Sequence, residues 1–193
     1  KKESNINLRD AKYFAGHSLG EYSALATSGS LDFQNAIKLL NERGKAMQTA
    51  VPKGTGGMIA ILGAEIEEVN NLLEENQNDY KCYIANDNSK GQIVLSGLNS
   101  DLDKLIDTLK VKKIKNIKLP VSAPFHCKLM NKATSIMSDK INNTNFEKPK
   151  NAIISNVTGE ETQEIEKIKN LLIKQIESPV RWWESVIYMI KND

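Results

Sequence analysis

Five residues near the start of the chain, Gly16-His17-Ser18-Leu19-Gly20, constrain its fold more than any other stretch. Ala11 to Ala15, ahead of them, reads as a short and partly apolar strand, and a helical stretch opens at Glu21. A serine between a strand and a helix, with glycine two residues to either side, sits in a sharp turn with its hydroxyl exposed. The flanking positions must lack a Cβ so that strand and helix can approach. The helix that follows brings backbone N–H groups and a positive dipole end to the hydroxyl. Such a chain is an α/β protein, and Ser18 is a candidate nucleophile. A plain tight turn is the alternative reading of the same five residues.

A second helix is expected from about Asp32 to Ala50, with Asp32 as its N-cap and Ala36, Ile37, Leu39, Leu40, Ala46 and Met47 as apolar positions. Val51-Pro52-Lys53-Gly54 stops it. From Gly56 to Val121 the order changes. Met58 to Leu62 is an apolar strand, and Glu65 to Glu75 an amphipathic helix on Ile66, Val69, Leu72 and Leu73. Cys82 to Ala85 and Gln92 to Ser96 are strands joined by an Asn86-to-Gly91 hairpin loop. Asn99 or Ser100 caps a helix with Leu102, Leu105, Ile106 and Leu109 on one face, and Ile114 to Val121 returns as a strand. This is the β-α-β-β-α-β series of a split βαβ, or ferredoxin-like, unit.

Ser122-Ala-Pro-Phe-His126 leaves that unit, followed by a helix from about Lys128 to Ile141 and a polar loop through Pro149. A strand at Ala152 to Ser155 and helices around Ile165 to Ile176 and Pro179 to Ile190 alternate as in a parallel α/β layer. The expected organisation is an α/β part made of residues 1–53 and 122–193, with residues 54–121 inserted as a smaller subdomain. Without an initiating Met, the chain reads as an interior fragment.

Charge and composition exclude several functions. The 26 Lys+Arg against 24 Asp+Glu leave a net charge of +2, without the clustered excess of a nucleic-acid binder. No apolar run approaches the roughly 18 to 20 residues of a membrane span, and no signal-peptide pattern opens the chain. Cys82 and Cys127 make neither a disulfide framework nor a zinc site, which points to a reducing, cytosol-like compartment. With His17 and His126 as the two histidines, no multi-histidine metal centre is expected. Lys, Asn and Ile make up about a third of the residues, a bias of A- and T-rich codons. Arg9, Arg43 and Arg181, the three arginines, then mark places where lysine does not serve.

A serine nucleophile needs a base, and histidine is the usual one. His17 follows the chain away from Ser18 and reads as structural or substrate-lining. His126 is the base by elimination, with a satisfied buried histidine as the alternative.

Six segments carry a resemblance. They are Gly16-His-Ser-Leu-Gly-Glu-Tyr22, Arg43-Gly-Lys-Ala-Met-Gln48, Asn86-Asp-Asn88, Ser122-Ala-Pro-Phe-His-Cys127, Asn156-Val-Thr-Gly159, and Gln175 with Ser178-Pro-Val-Arg-Trp182. In this order they closely resemble the malonyl-CoA:acyl-carrier-protein transacylases of fatty-acid synthesis, over nearly the whole chain. The resemblance implies an α/β-hydrolase-like large subdomain carrying the inserted ferredoxin-like one. It implies Ser18 as acyl acceptor, His126 as general base and the main-chain carbonyl of Gln175 as the group that orients the imidazole. It implies Arg43 as the clamp for the malonyl carboxylate, the Leu19 N–H as an oxyanion-hole donor, and Phe125 as a side chain favouring malonyl over branched acyl units. His17 and Asn88 are expected at the substrate. The substrates implied are malonyl-CoA and a phosphopantetheinylated acyl carrier protein, with no metal, cofactor, nucleic acid or membrane, in a monomer of the bacterial cytoplasm or an organelle of bacterial descent.

The family's Gly-Gln-Gly-Ser-Gln segment, source of a second oxyanion donor, is absent, as is the final strand region after Tyr188. A fragment cut at both ends is expected, and losing one such donor typically costs on the order of 100- to 1,000-fold in rate. Two other functions share parts of the pattern: a serine esterase or thioesterase, which requires a carboxylate beside His126, and an inactive carrier-protein-binding domain, which allows an occluded Ser18 or a solvent-facing Arg43. Lys110, Lys112, Lys113, Lys115 and Lys118 either dock an acidic carrier or shield a sheet edge. Asn156-Val-Thr158 has the form of a glycosylation sequon, but nothing else suggests secretion. Trp182, Trp183 and Cys127 read as packing residues.

Overall fold

The computed structural model describes residues 7–192. A 3-10 turn (Leu8–Asp10) leads into β1 (Tyr13–Phe14), α1 (Gly20–Thr27) and α2 (Phe33–Thr49). Then come β2 (Gly56–Leu62), α3 (Ile66–Glu75), β3 (Cys82–Ser89), β4 (Gln92–Leu98), α4 (Asn99–Val111) and β5 (Lys115–Lys118). A second 3-10 turn (Lys128–Met130) precedes α5 (Asn131–Asn142), β6 (Ala152–Ile154), β7 (Glu161–Thr162), α6 (Ile165–Gln175), β8 (Val180–Arg181) and α7 (Trp182–Lys191).

The fold is mixed α/β, with a three-stranded sheet in the order β1-β6-β7 and a five-stranded one in the order β5-β2-β4-β3-β8. In the smaller sheet β1 pairs with β6 in parallel, Tyr13 opposite Ala152 and Phe14 opposite Ile153. β7, absent from the expected series, joins antiparallel, so the layer is only partly parallel. α1, α2, α5 and α6 bury one cluster beside this sheet, with Tyr22, Leu25, Leu39, Met47, Met137, Ile153 and Leu172 at its centre. α2 starts as expected: Asp32 is extended, and its Oδ1 accepts the Asn35 N–H at 2.9 Å. Its core stripe is Ala36, Leu39, Arg43, Ala46 and Met47, spaced by the 3.6-residue turn, whereas Ile37 is half exposed.

In the larger sheet, β2 through β5 with α3 and α4 follow the β-α-β-β-α-β order, and these four strands pair with one another antiparallel. Successive strand residues face opposite ways. Ile59 and Ile61 of β2 join Ile93, Leu95, Val69, Leu72, Leu102, Leu105 and Leu109 under the two helices. Met58 and Ala60 face the other way, with Ala85 and Val94, toward Leu119, Val121 and Phe125. That second face becomes one wall of the functional cavity.

Several expected boundaries are corrected. Asn86 to Gly91 has the residue types of a hairpin loop, but β3 runs on to Ser89, opposite Gln92, and the connection narrows to Lys90 and Gly91. Two register shifts, at Ile84/Asn86 and Asp87/Ser89, let a polar stretch stay in the sheet. There Asn86 and Asp87 pair in parallel with β8, a fifth strand formed where a helix was expected to begin at Pro179. Asn99 does not cap α4 from its side chain; its Nδ2 donates to the Gly54 carbonyl at 2.7 Å, and Leu98 is the cap residue. β5 is shorter than Ile114 to Val121. It is an edge strand, and Lys110, Lys112 and Lys118 pair with Asp107, Glu75 and Asp103. Those pairings favour a shielded edge over a docking patch.

Candidate active site

The turn after β1 brings Ser18 to the mouth of α1. The Gly20 N–H closes it on the His17 carbonyl at 2.9 Å, and Ser18 is held at φ 54, a left-handed conformation rare outside glycine. Gly16 is sterically required: a Cβ there would lie 2.0 Å from the Gly20 carbonyl oxygen. Gly20 is not required, because a Cβ there would meet nothing within 4 Å; the sequence reading needed both glycines bare. Asn156, just past β6, bridges the turn. Its Oδ1 accepts the Ser18 N–H at 2.6 Å, and its Nδ2 donates to the Gly16 carbonyl at 2.9 Å.

His126 reaches Ser18 from the segment leaving the larger sheet and is itself at φ 58. Two strained residues thus face each other, each conformation costing on the order of 1–3 kcal/mol that the surrounding structure must sustain. The Ser18 Oγ lies 2.8 Å from His126 Nε2, and His126 Nδ1 lies 2.9 Å from the Gln175 main-chain oxygen. A carbonyl can only accept, so Nδ1 carries the proton and Nε2 offers its lone pair to the serine hydroxyl. Burial pulls the imidazole down to about 4, and the nearby charges of Arg43 and His17 act in the same direction. Acylation of Ser18 is therefore expected to keep its rate as pH falls to about 5 and to halve near pH 4, where His126 takes up a proton. Single-turnover loading across pH checks this; a half-point near 6.5 would indicate a solvated imidazole.

Arg43 points inward from α2. It is buried, and its Nη2 donates to the Ser18 Oγ at 2.9 Å and to the Gln175 Oε1 at 3.0 Å. Its Nε is buried without a hydrogen-bond partner among the described residues. These groups open onto a cavity of about 420 Å3, whose lining includes His17, Leu19, Met58, Asn88, Val94 and Phe125. His17 Nε2 lies 2.8 Å from Asn88 Oδ1, and its ring is 5.6 Å from that of Trp182. No acceptor among the described residues takes the Leu19 N–H. All eight residues singled out in the sequence meet here: seven line the cavity and Gln175 lies behind His126. A larger groove between α2 and α5, about 690 Å3 and lined in part by Lys38, Glu42, Asp139 and Lys140, contains none of them.

Glu21 was not foreseen. It follows the serine turn directly, yet it is only 2% exposed. Its Oε2 accepts from Gln175 Nε2 at 2.7 Å and from the Asn156 N–H at 3.1 Å. Burial raises its carboxyl to about 7, against the two hydrogen bonds and the Arg43 charge. Its position in the first turn of a helix was the only sequence signal, and that position is ordinarily solvated. The Gln175 side chain and Asn156 were missed for a related reason, since their partners lie more than a hundred residues away.

Arg181 and Cys127 make local contacts away from this chemistry. Arg181 pairs with Glu184 and donates to the Val157 carbonyl at 3.4 Å; the side chain of Arg9 lies outside the described residues. Cys127, beside His126, donates to the Pro124 carbonyl, and burial pushes its thiol up to about 11. Among the described residues no cluster of three or more His, Cys, Asp or Glu could hold a metal, and no helix is long and apolar enough to cross a membrane.

Comparison with known proteins decides the family. The acyl transferase domain matches residues 8–191. The chain belongs to the acyl transferase domain family. This acyl transferase domain is 40% identical over 179 residues to the malonyl CoA-acyl carrier protein transacylase of Haemophilus influenzae, an alignment covering 92% of the chain and 57% of that protein. It superposes on the crystal structure of the acyl-carrier-protein-S-malonyltransferase of Bartonella henselae with a TM-score of 0.94 and 36% identity, covering 99% of the chain and 62% of that one. A malonyl-transacylase in complex with its type II PKS acyl-carrier protein gives a TM-score of 0.92 at 35% identity, with 99% and 62% covered. The chain thus spans about three fifths of the length of these relatives.

Proposed function

We propose that this acyl transferase domain moves a malonyl group from malonyl-CoA to the phosphopantetheine thiol of an acyl carrier protein, through a malonyl ester on Ser18. The observation that carries this reading is the line from Ser18 Oγ through His126 to a main-chain oxygen, with the Arg43 guanidinium on the same serine. His126 Nε2 takes the Ser18 proton as Oγ attacks the thioester carbonyl. The tetrahedral intermediate collapses, the C–S bond breaks, and His126 gives that proton to the departing sulfur, so that CoA leaves as its thiol and the imidazole is neutral again. The carrier thiol then gives its proton to His126 as its sulfur attacks the ester; the C–Oγ bond breaks, and His126 hands the proton to Oγ, restoring the serine hydroxyl.

The Leu19 N–H serves the oxyanion, at the N-terminus of α1, where the helix dipole adds to it. Arg43 receives the free carboxylate of the malonyl group, and its buried, unpartnered Nε–H is a donor left over for that purpose. His17, Asn88 and Phe125 bound the acyl group. The chemistry needs side chains, one carbonyl and two thiols, and no cofactor. The relatives bear the same activity in their names, and one is a complex with a carrier protein. They include proteins of several bacteria, which supports a bacterial cytoplasmic setting. The separate apolar clusters support an α/β-hydrolase-like part of residues 1–53 and 122–193 and a ferredoxin-like insert of residues 54–121.

The esterase reading needs a carboxylate on His126, and among the described residues none hydrogen-bonds it; Nδ1 meets a neutral carbonyl. A neutral partner stabilises the imidazolium less than a carboxylate does, which leaves a weaker base and lets a thiol compete with water for the ester. The idle-domain reading is disfavoured by an inward Arg43 and by Ser18 open to a cavity. The test is intact-protein mass spectrometry after mixing with malonyl-CoA. One malonyl adduct, mapped to Ser18 and discharged to a carrier thiol faster than to water, is the expected result. Equal discharge to water would turn the assignment to a hydrolase, and no adduct to a non-catalytic domain.

A further inference from the structure

We infer that Glu21 is a positioning residue for carboxylate recognition: it holds the Gln175 amide in the one orientation that anchors Arg43 beside Ser18. The inference rests on the proposed transfer at Ser18 and concerns how the site selects its acyl group. Gln175, at the end of α6, presents two independent functions. Its main-chain oxygen meets His126 Nδ1, while its side chain faces the opposite way in role, toward Arg43 and α1.

The side-chain geometry leaves one amide orientation. Oε1 accepts from Arg43 Nη2 at 3.0 Å, whereas Nε2 donates to Glu21 Oε2 at 2.7 Å and to the Ser18 carbonyl at 3.1 Å. Turning the amide over would set its N–H groups against the guanidinium and its oxygen against three other oxygens, those of Glu21, Ser18 and Asn156. Besides the Ser18 carbonyl, the amide has Asn156 Oδ1 at a long 3.5 Å, an oxygen already taken by the Ser18 N–H at 2.6 Å, and Glu21 supplies the shortest contact of the three. Glu21 is itself held by the Asn156 N–H at 3.1 Å. Gln175 is fully buried and Glu21 nearly so, so water does not replace a lost partner. Without that acceptor the amide turns, Arg43 loses its Oε1 anchor, and the guanidinium no longer sits where a carboxylate tethered to Ser18 ends.

The essential feature of Glu21 is an acceptor oxygen, not a charge. Burial already holds its carboxyl up to about 7, and a neutral amide keeps the same oxygen. This separates a positioning role from a general one. Glu21→Met removes the oxygen and Glu21→Gln retains it. Gln175→Met removes the relay side chain from the other end and leaves the main-chain oxygen for His126.

The experiment measures single-turnover loading of Ser18 from malonyl-CoA and from acetyl-CoA, whose acyl group has no carboxylate, in the protein carrying this sequence. Glu21→Met is expected to lower the malonyl-to-acetyl rate ratio by on the order of 10- to 100-fold, the scale of a misplaced positioning group. Gln175→Met is expected to match it, the double variant to add little, and Glu21→Gln to restore most of the ratio. Should Glu21→Met fail to fold, Gln175→Met alone carries the decision. A ratio unchanged in the Met variants, or malonyl and acetyl rates falling equally, overturns this inference while the transfer reading stands. Absence of any acyl group on Ser18 of the unsubstituted protein overturns both.

Discussion

Ser18→Ala is expected to take up no acyl group from malonyl-CoA, and His126→Ala to load it on the order of 10⁴- to 10⁶-fold more slowly than the parent. The serine hydroxyl is a poor nucleophile unless its proton has somewhere to go. The acceptor on hand is Nε2, 2.8 Å from Oγ and aligned by the Gln175 carbonyl on the other side of the ring. Because burial keeps this imidazole neutral down to about 4, it is competent as a base at any physiological pH. The two residues act as a unit, so a Ser18→Ala/His126→Ala double variant should be no worse than Ser18→Ala alone. Intact mass against time reads the adduct, with circular dichroism to show that each variant folds. An adduct persisting in Ser18→Ala would mean that another group is acylated. Cys127 adjoins His126, but its buried thiol, pushed up to about 11, makes a poor thiolate.

Gly16→Ala is expected to destabilise the protein by at least about 3 kcal/mol, and Gly20→Ala by nothing measurable or to stabilise it by up to about 1 kcal/mol. The alanine methyl at position 16 would lie 2.0 Å from the Gly20 carbonyl oxygen and 2.1 Å from its carbon. Both are backbone atoms of the first residue of α1, so relief requires the helix to move away from β1. That displacement would also break the Asn156 bridge between Gly16 and Ser18. At position 20 a methyl points into open space. Urea unfolding of the two variants beside the parent makes the comparison. Equal losses would show that the turn needs two bare positions, as the residue pattern by itself suggests, and would contradict the asymmetry of the structure.

That asymmetry marks a boundary in what residue patterns disclose. A glycine at either side of the serine looks the same in sequence; only the approach of one backbone to another distinguishes them. Similarly, Asn86 to Ser89 carries the residue types of a loop, yet two bulges keep it in the sheet beside β8. The strand at Val180–Arg181 has no local period to announce it, since two residues are too few to alternate. Nothing in the residue pattern marks the Glu21 carboxyl or the side chain of Gln175 as buried. Their burial against each other depends on α1 and α6 meeting across 154 positions of chain.

The sequence by itself determined the short-range order: the cap at Asp32, the amphipathic stripes of α2, α3 and α4, and the strand–helix series between Gly56 and Val121. It also narrowed the chemistry to a serine after a turn and one histidine free to serve it. These follow from sterics and periodicities that act within a few residues, and from a composition that leaves few reactive groups to choose among. Only the tertiary structure decided which other polar atoms meet: the Gln175 amide between Glu21 and Arg43, and Asn156 across the serine turn. The reason is that a buried hydrogen bond is set by packing of distant elements, in which a displacement of an ångström exchanges one partner for another.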